Sequence, residues 1–319
     1  MKKTKILITG SNGLLGQKLV SLLAQKTDIQ LIATSRGANR MDFIDGYQYQ
    51  ELDITNAEQV AKVIEKVRPD SIIHTAAMTN VDQCEGEKDL CWEMNVKAVE
   101  YLTEACEKHQ IFFCHLSTDF VFDGESGPYS EEDLPSPISF YGWSKYAAEE
   151  VVKRSKYPWS IVRTVLVYGI TNDMSRSNII LWVKNSLEQR KSIKVVTDQF
   201  RTPTLAEDLA MGCYLVVNKK AEGIFHISGK DFLTPHEMAI KTADFFKLDK
   251  SLISQVDSSN FTQPAKRPAR TGFILDKAVE VLGYNPVSFE EGIEVLAGQI
   301  SNPYIPKRSH THLFSQHIQ

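Results

Sequence analysis

The chain has 319 residues, and at roughly 150 residues per domain this length predicts two domains or one large α/β unit with an appendage. Hydrophobic residues make up 42% and charged residues 24% of the chain, a balance that excludes wholesale disorder. The formal net charge of −4 argues against a dedicated nucleic-acid-binding protein.

Strands and helices alternate through the first half of the chain. Short apolar runs predict strands, and apolar residues at helical spacing predict the helices between them. The predicted strands are 5–9, 30–34, 71–75, 111–116 and 159–162. The predicted helices are 14–26, 58–67, 92–110 and 141–155. This alternation predicts the α/β class, with a Rossmann-type doubly wound parallel sheet.

Beyond about residue 170 the pattern loosens. Helices are predicted at 178–190, 205–217, 235–246 and 288–299, separated by short strands at 194–196 and 224–227. We interpret this half as a smaller, mostly helical substrate lobe over the carboxyl edge of the sheet, where open α/β sheets bind ligands. The predicted dinucleotide-binding domain is 1–170, together with about 203–230, and the lobe is 171–202 and 231–300. Residues 301–319 are interpreted as a tail, in which His310, His312 and His317 are solvated rather than metal-binding.

The N-terminus and the cysteines indicate the compartment. The apolar run after the N-terminal lysines is too short for a signal peptide, and no run approaches the ~18 apolar residues that span a bilayer. The five cysteines are odd in number and contain no CxxC pair, which argues against a disulfide framework or a zinc site. We therefore expect a soluble cytoplasmic protein that holds no metal and contacts neither membrane nor nucleic acid.

A glycine loop separates the first predicted strand from the first helix. Gly10 permits a tight turn, Gly13 lets the backbone approach a pyrophosphate, and Gly16 lets the helix pack against the strand. The free N–H groups and the positive dipole end of the helix then face the phosphates. The rest of this predicted dinucleotide-binding loop is Ser11, Asn12, Leu14 and Leu15.

The end of the second predicted strand indicates which dinucleotide binds. A carboxylate about 20 residues after the third glycine holds the ribose of NAD, whereas an arginine accommodates the extra phosphate of NADP. Residues 29–41 contain no Asp or Glu but do contain Arg36 and Arg40, and Arg36 directly follows Ser35. The sequence therefore favours NADPH, with NADH as the alternative.

Three residues have the chemistry of a carbonyl reductase. Tyr141 and Lys145 lie four apart in a predicted helix and so share one face. Thr118 follows the strand 111–116, at the edge where the glycine loop also lies. We expect the ammonium of Lys145 to lower the pKa of Tyr141 toward the working range. Lys145 can also hold the nicotinamide ribose, and Thr118 can hydrogen-bond the substrate carbonyl.

With these residues the sequence resembles the extended short-chain dehydrogenase/reductase superfamily and, within it, the dTDP-4-dehydrorhamnose reductase family. The resemblance covers about residues 4–300. Its motifs are ITGSNGLLG at 8–16, LDIT at 52–55, HTAAMTNVDQCE at 74–85, STDFVFDG at 117–124, YGWSKYAAEE at 141–150, DQFRTPT at 198–204 and RPART at 267–271. It implies an NADPH-dependent reductase of the keto group of a nucleotide-linked 4-keto-6-deoxysugar.

The resemblance also implies roles for individual residues. It matches Thr118, Tyr141 and Lys145 to the catalytic trio. On the cofactor side it implies that Asp53 and Ile54 flank the adenine, that Ala76, Ala77 and Met78 line the ribose and nicotinamide, and that Asn95 braces the sheet beside them. On the substrate side it implies Thr79, Val81, Asp82, Asp119 and Leu166, with Arg201 or Arg267 meeting the diphosphate.

The chain departs from the family at three positions. Leu166 stands where the family usually has a tryptophan, Met78 replaces a common tyrosine, and Arg201 occupies a position where a small residue is frequent. A missing aromatic platform near the sugar leaves the exact substrate open, although the reaction type is unaffected.

Two other functions remain open. One is a sugar-nucleotide epimerase or dehydratase with a retained NAD, against which Arg36 without a carboxylate partner argues. The other is a non-catalytic NADP-binding regulatory subunit, similar to the beta subunit of methionine adenosyltransferase, against which the intact trio argues. By analogy with extended reductases we also expect a homodimer.

Overall fold

A computed structural model describes residues 3–41, 45–171, 178–261 and 263–301. The predicted tail with His310, His312 and His317 lies outside the described residues, apart from Ser301. The strands are β1 (Thr4–Thr9), β2 (Ile29–Ser35), β3 (Tyr47–Glu51), β4 (Ser71–His74), β5 (Phe112–Thr118), β6 (Trp159–Thr164), β7 (Val167–Tyr168), β8 (Ile193–Val196), β9 (Thr204–Leu205), β10 (Gly223–His226) and β11 (Ile253–Val256). The α-helices are α1 (Leu14–Leu23), α2 (Ala57–Val67), α3 (Val81–Gly86), α4 (Lys88–Trp92), α5 (Ala98–His109), α6 (Phe140–Lys153), α7 (Ile179–Glu188), α8 (Ala206–Lys219), α9 (Pro235–Phe245) and α10 (Phe289–Ser301).

The main sheet has seven parallel strands in the order β3-β2-β1-β4-β5-β6-β10. The chain leaves β1 for β2 and β3 on one side and then returns to β4 on the other side of β1. This reversal is the topological switch point of a doubly wound Rossmann fold, beside which such sheets bind ligands. The carboxyl ends of β1, β4 and β5 therefore meet at one edge, and this edge carries the site described below.

Alternate residues of the central strands face opposite layers of helices, because side chains alternate across a strand. Ile6 and Ile8 of β1 pack in the core under α1 and α8. Leu7 lies in the core on the other face, under α2 and α5. Both faces of the strand are thus buried, as is usual for a parallel sheet covered by helices.

The helices begin where the sequence supplies caps. The Asn56 side chain accepts a hydrogen bond from the Gln59 N–H at the start of α2, and the Ser139 side chain accepts one from Gly142 at the start of α6. At α9, Thr234 and Glu237 form a reciprocal capping box. Such caps satisfy backbone donors that the first helical turn leaves free.

The predicted strands and most predicted helices are confirmed. The helices α3 and α4 were not predicted, and there are three further differences. The edge strand β3 was not predicted, because its sequence YQYQE has no apolar run and only half-buried or exposed residues. The predicted helix 92–110 is interrupted by a π-helical turn at Glu93–Lys97. Two small parallel pairs lie outside the main sheet, β8 with β11 in the lobe and β7 with β9 at its border. The predicted strand 224–227 does join the main sheet, as β10 beside β6, and the domain boundaries stay a prediction.

Candidate active site

A cavity of about 890 Å³ lies at the carboxyl edge of the sheet, against the glycine loop. It extends from the end of β2 past β4 and β5 to α6, and on to the segment between β6 and α7. The predicted site residues that line it are Gly10, Asn12, Gly13, Leu14, Leu15, Gly16, Ser35, Arg36, Asp53, Ile54, Ala76, Ala77, Thr79, Val81, Thr118, Asp119, Tyr141, Lys145 and Leu166. Most residues assigned from the sequence to cofactor, catalysis and substrate therefore share one cavity.

The glycine loop is closely packed and leaves a helix N-terminus free. Gly10 has φ +73°, and a Cβ there would lie 2.7 Å from the Ala76 nitrogen. A Cβ on Gly16 would collide with the Gly10 carbonyl oxygen. At the start of α1, Gly13 offers no side-chain cap and the first turn has no acidic residue. The loop thus has the shape and polarity that suit a pyrophosphate.

Arg36 and Arg40 are both exposed and both line the cavity at the end of β2. The Asn12 side chain fixes the backbone between them and the glycine loop. Its Nδ2 donates to the Ala38 carbonyl at 2.8 Å, and its Oδ1 accepts from the Arg40 N–H at 3.0 Å. The two guanidinium side chains therefore extend from a backbone that is fastened to the loop.

The predicted trio is buried and assembled in the cavity. Thr118 ends β5, whereas Tyr141 and Lys145 lie one turn apart on α6, and the three side chains are 6%, 8% and 3% exposed. The Tyr141 ring packs edge-on against Phe120, with ring centroids 5.7 Å apart. Burial on this scale excludes bulk water from the side chains that would exchange a proton with a substrate.

Burial dominates the electrostatics of the trio. It raises the pKa of Tyr141, while a hydrogen bond with Thr118 acts in the opposite direction. Burial lowers the pKa of Lys145 to about 8, against the effect of the Glu149 carboxylate. The expected lowering of the Tyr141 pKa by Lys145 is therefore wrong for this arrangement. The Lys145 Nζ lies instead 3.3 Å from the Nε2 of His115, a residue that the sequence reasoning had not considered.

Asp119 ties the trio to the lobe. The Thr118 hydroxyl donates to Asp119 Oδ1 at 3.0 Å, and the Thr271 hydroxyl donates to Oδ2 of the same carboxylate. The Arg201 Nε lies 3.8 Å from Asp119 Oδ2. Burial nevertheless raises the pKa of Asp119. Two lobe motifs that carry the family resemblance, DQFRTPT and RPART, thus meet the end of β5 through one carboxylate.

Three predicted cofactor residues lie behind the cavity wall rather than on it. Ser11 is buried, and its backbone N–H donates to the Thr34 carbonyl at 3.0 Å. The Asn95 side chain binds the Met78 backbone twice, accepting from its N–H at 2.8 Å and donating to its carbonyl at 3.0 Å. Asn95 and Met78 thus support the cavity wall from within the protein.

Three predicted substrate residues also lie off the cavity lining. The buried Arg201 guanidinium donates to the carbonyls of Phe200, Pro268 and Ala269, at 2.7, 2.6 and 3.0 Å. Asp82 and Arg267 are paired with each other, at 2.7 and 3.1 Å. In the structure all three charged groups have protein partners.

The cavity includes residues that the sequence reasoning did not assign. They are Arg40, Leu52, Thr55, Thr75, Met94, Leu116, Ser117, Phe120, Thr164, Val167, Tyr168, Gly169, Thr171, Asn178, Ile179 and Leu209. Thr75 and Thr164 follow or end strands of the sheet, so the rule that ligands bind at strand ends could have found them. Gly169, Thr171 and Asn178 lie outside regular strands and helices and had no comparable signal.

Within the described ranges, no group of three His, Cys, Asp or Glu side chains could hold a metal ion. None of the helices in the described part of the chain is both long enough and apolar enough to span a membrane.

Comparisons with known proteins agree with this geometry. The model of the RmlD substrate binding domain family matches residues 4–301. A dTDP-4-dehydrorhamnose reductase from Aggregatibacter actinomycetemcomitans is 31% identical over 302 residues, covering 91% of this chain and 97% of that protein. The crystal structure of dTDP-4-dehydrorhamnose reductase from Bacillus anthracis str. Ames in complex with NADP is 30% identical with a TM-score of 0.79, and covers 93% of this chain and 99% of that chain. Methionine adenosyltransferase 2 subunit beta from Mus musculus is 29% identical over 296 residues, covering 91% of this chain and 86% of that protein.

Proposed function

The chain belongs to the RmlD substrate binding domain family of NAD(P)-dependent reductases, and from this premise we propose that it is a dTDP-4-dehydrorhamnose reductase. The reaction would reduce the 4-keto group of a dTDP-linked 6-deoxysugar with NADPH. One observation carries the proposal: Thr118, Tyr141 and Lys145 line the same cavity as the glycine loop and the two arginines at the end of β2.

Each member of the trio suits one task in such a reduction. Bound NADPH supplies the hydride that the ketone carbon receives. Because burial raises its pKa, Tyr141 keeps its proton at neutral pH and can donate it to the ketone oxygen. The Thr118 hydroxyl polarises the same oxygen once it turns from Asp119. Lys145, as an ammonium below about pH 8, holds the nicotinamide ribose.

The cofactor preference rests on charge at the end of β2. Arg36 and Arg40 offer two guanidinium groups for the 2′-phosphate of NADPH. No carboxylate lies at residues 29–41 to hold the free ribose hydroxyls of NADH. The Bacillus anthracis relative is described in complex with NADP, which supports the same preference. NADH remains the alternative.

The substrate end of the cavity is partly apolar. Leu166 lines it with a backbone φ of +36°, an unusual conformation for a bulky residue. Its side chain is 43% exposed. Together with Val81 it offers an apolar surface that suits the methyl group of a 6-deoxysugar. Thr79 and Asp119 are the polar groups at this end that we assign to sugar hydroxyls.

A regulatory subunit without turnover is the second candidate. It is favoured by the likeness to the mouse methionine adenosyltransferase subunit, which spans 91% of this chain. The assembled trio supports the reductase instead, because a protein that only binds NADP has no need of a buried tyrosine that can donate a proton at the same cavity.

The experiment is to follow loss of NADPH absorbance with purified protein and the dTDP-linked 4-keto-6-deoxy-L-sugar, with NADH run in parallel. We expect rapid oxidation of NADPH that Tyr141→Phe abolishes. Tyr146→Phe, on the same helix but outside the cavity lining, is the matched control and should retain activity. Binding of NADPH without oxidation would contradict the proposal and favour the regulatory subunit.

A further inference from the structure

We propose that His115 is a positioning residue for Lys145, whose ammonium it holds as an uncharged hydrogen-bond acceptor. The Lys145 Nζ and the His115 Nε2 are 3.3 Å apart. The two residues are 3% and 0% exposed. This role rests on the proposed reductase function, in which Lys145 must stay an ammonium at a fixed place.

The direction of the hydrogen bond follows from the chemistry of the two groups. An ammonium has three N–H donors and no acceptor, so Lys145 donates and His115 Nε2 accepts. His115 must then be neutral, with its proton on Nδ1. Its surroundings keep it neutral, because burial and the nearby Lys145 charge lower its pKa well below the usual value. The imidazole of His74, with centroid 5.4 Å away, stacks against it and restricts its rotation.

Two of the other ionisable groups around Lys145, Glu149 and His74, have hydrogen bonds with other residues. The groups that face it are His115 on β5, His74 on β4, Cys91 on α4, and Tyr141 and Glu149 on α6 itself. The Glu149 carboxylate binds Arg163 at 2.9 and 2.7 Å and accepts from Ser117 at 2.6 Å. His74 Nδ1 lies 2.7 Å from the Thr9 hydroxyl. Among the described side chains, His115 is the one that is hydrogen-bonded to Lys145 Nζ.

A neutral acceptor suits the task of Lys145 better than a carboxylate would. Burial lowers the pKa of Lys145 to about 8, so the ammonium begins to lose its proton only slightly above neutral pH. A hydrogen bond accepted from the charged form stabilises that form. A neutral acceptor also leaves the other two N–H donors of the ammonium free for the hydroxyl groups of the ribose. His115 thus fixes the direction of one N–H bond of the Lys145 ammonium and leaves the charge of the ammonium in place.

The test compares His115→Leu, which removes the acceptor, with His115→Gln, whose side-chain amide reaches about as far and keeps one. For the leucine variant we expect kcat about tenfold lower, as for loss of one hydrogen bond to a charged group. We expect little change in KM for the keto sugar, and the high-pH limb of the kcat profile should move to lower pH. The glutamine variant should recover most of kcat and the position of the limb.

His226→Leu is the matched control, because His226 is equally buried but contacts Tyr129 and Phe273 outside the cavity. The His226→Leu substitution can lower the stability of the protein, but it should leave the high-pH limb of the kcat profile in place. The proposal is overturned if His115→Leu leaves kcat and the limb unchanged, or if His115→Gln folds normally and restores neither.

A second measurement separates this proposal from the reductase proposal. The pKa of Lys145 can be followed by NMR of protein labelled with ¹³Cε-lysine, with Lys145→Met to assign the signal. We expect the pKa to be lower in His115→Leu than in the unsubstituted protein and in His115→Gln. An unchanged pKa contradicts the role of His115 even in a protein that turns over no keto sugar. A lowered pKa in such a protein upholds the contact while the reductase proposal fails.

Discussion

The Asp82 carboxylate and the Arg267 guanidinium form a bidentate ion pair, with nitrogen–oxygen distances of 2.7 and 3.1 Å. Asp82 lies on α3, whereas Arg267 lies on a basic segment of the C-terminal lobe, residues 264–270 with the sequence PAKRPAR. The same carboxylate also accepts from the Ala265 N–H at 3.2 Å. The Arg267 hydrogen bond lowers the pKa of Asp82. The pair therefore fastens the lobe to α3, beside Thr79 and Val81 of the cavity lining.

Breaking this pair should affect substrate binding more than stability. For Arg267→Met we expect KM for the nucleotide sugar to rise several-fold, because the segment 264–270 is no longer paired with α3, whose first residue Val81 lines the cavity. Since both side chains are partly exposed, the free energy of unfolding should fall by only about 1 kcal/mol or less. Steady-state kinetics and urea unfolding check this, with the exposed neighbour Lys266→Met as control. An unchanged KM, or a loss of kcat alone, would argue against a fastening role.

Arg36 should decide between the two nicotinamide cofactors. For Arg36→Ala we expect the NADPH dissociation constant to rise about ten- to hundredfold, the usual cost of a lost hydrogen bond to a charged group. NADH affinity should hardly change, because NADH has no 2′-phosphate. Fluorescence titration with both cofactors measures this, and Arg154→Ala, an exposed arginine outside the cavity lining, is the control. Equal losses of affinity for NADPH and NADH would contradict the assignment of Arg36 to the 2′-phosphate.

Gly16 should be required for both cofactors equally. In Gly16→Ala the new Cβ would meet the Gly10 carbonyl oxygen, so the glycine loop must shift. We expect NADPH and NADH to lose affinity in parallel, with a loss of stability of about 1–3 kcal/mol from the overpacking. Gly298→Ala on α10 is the control, because no described atom beyond its chain neighbours and the nearby backbone of its own helix lies within 4 Å of the new Cβ. Alanine also favours a helix by up to about 1 kcal/mol. A selective loss of NADPH binding would contradict this role.

Local signals in the sequence were enough to predict the sheet and the position of the site. The short apolar runs predicted six of the seven strands of the main sheet, and the glycine loop indicated the edge where Thr118, Tyr141 and Lys145 meet. The polar edge strand β3 lacked such a signal, since its residues are only partly buried. The π-helical turn at Glu93–Lys97 also had none, because its residues fit a regular helix equally well.

The pairing of side chains inside the site could not be predicted in the same way. Lys145 meets His115 across 30 positions of sequence, and Asp82 meets Arg267 across 185. Such partners are set by how β5, α6 and the lobe pack together, which periodicity does not encode. For the same reason the predicted direction of the Tyr141 pKa shift was wrong. The shift depends mainly on burial, whereas the motif specifies only the nearby lysine.

The buried ion pair of Glu149 and Arg163 joins α6 to β6, and its loss should strongly lower the free energy of unfolding. Both side chains are at most 1% exposed, and they meet through two hydrogen bonds. Arg163→Met leaves a buried carboxylate without its partner, so we expect the free energy of unfolding to fall by about 3–5 kcal/mol. Urea unfolding measures this. Glu188→Gln, which breaks an exposed pair with Lys184, should change stability by less than about 0.5 kcal/mol. Similar effects of the two substitutions would contradict the argument.

Ionisation of Asp208 should lower the stability of the folded protein as the pH rises to neutrality. Burial raises its pKa to about 7 from 3.8, although the Val287 N–H donates to it at 2.9 Å. Between these two values the folded state holds a proton that the unfolded state has lost, so stability falls with increasing pH. Asp208→Asn keeps an acceptor for Val287 but cannot ionise. The melting temperature of this variant should therefore vary less between pH 5 and 8 than that of the unsubstituted protein. The exposed Asp276→Asn should follow the unsubstituted protein. Parallel melting curves for the protein and Asp208→Asn across this range would show that Asp208 is already ionised in the folded state.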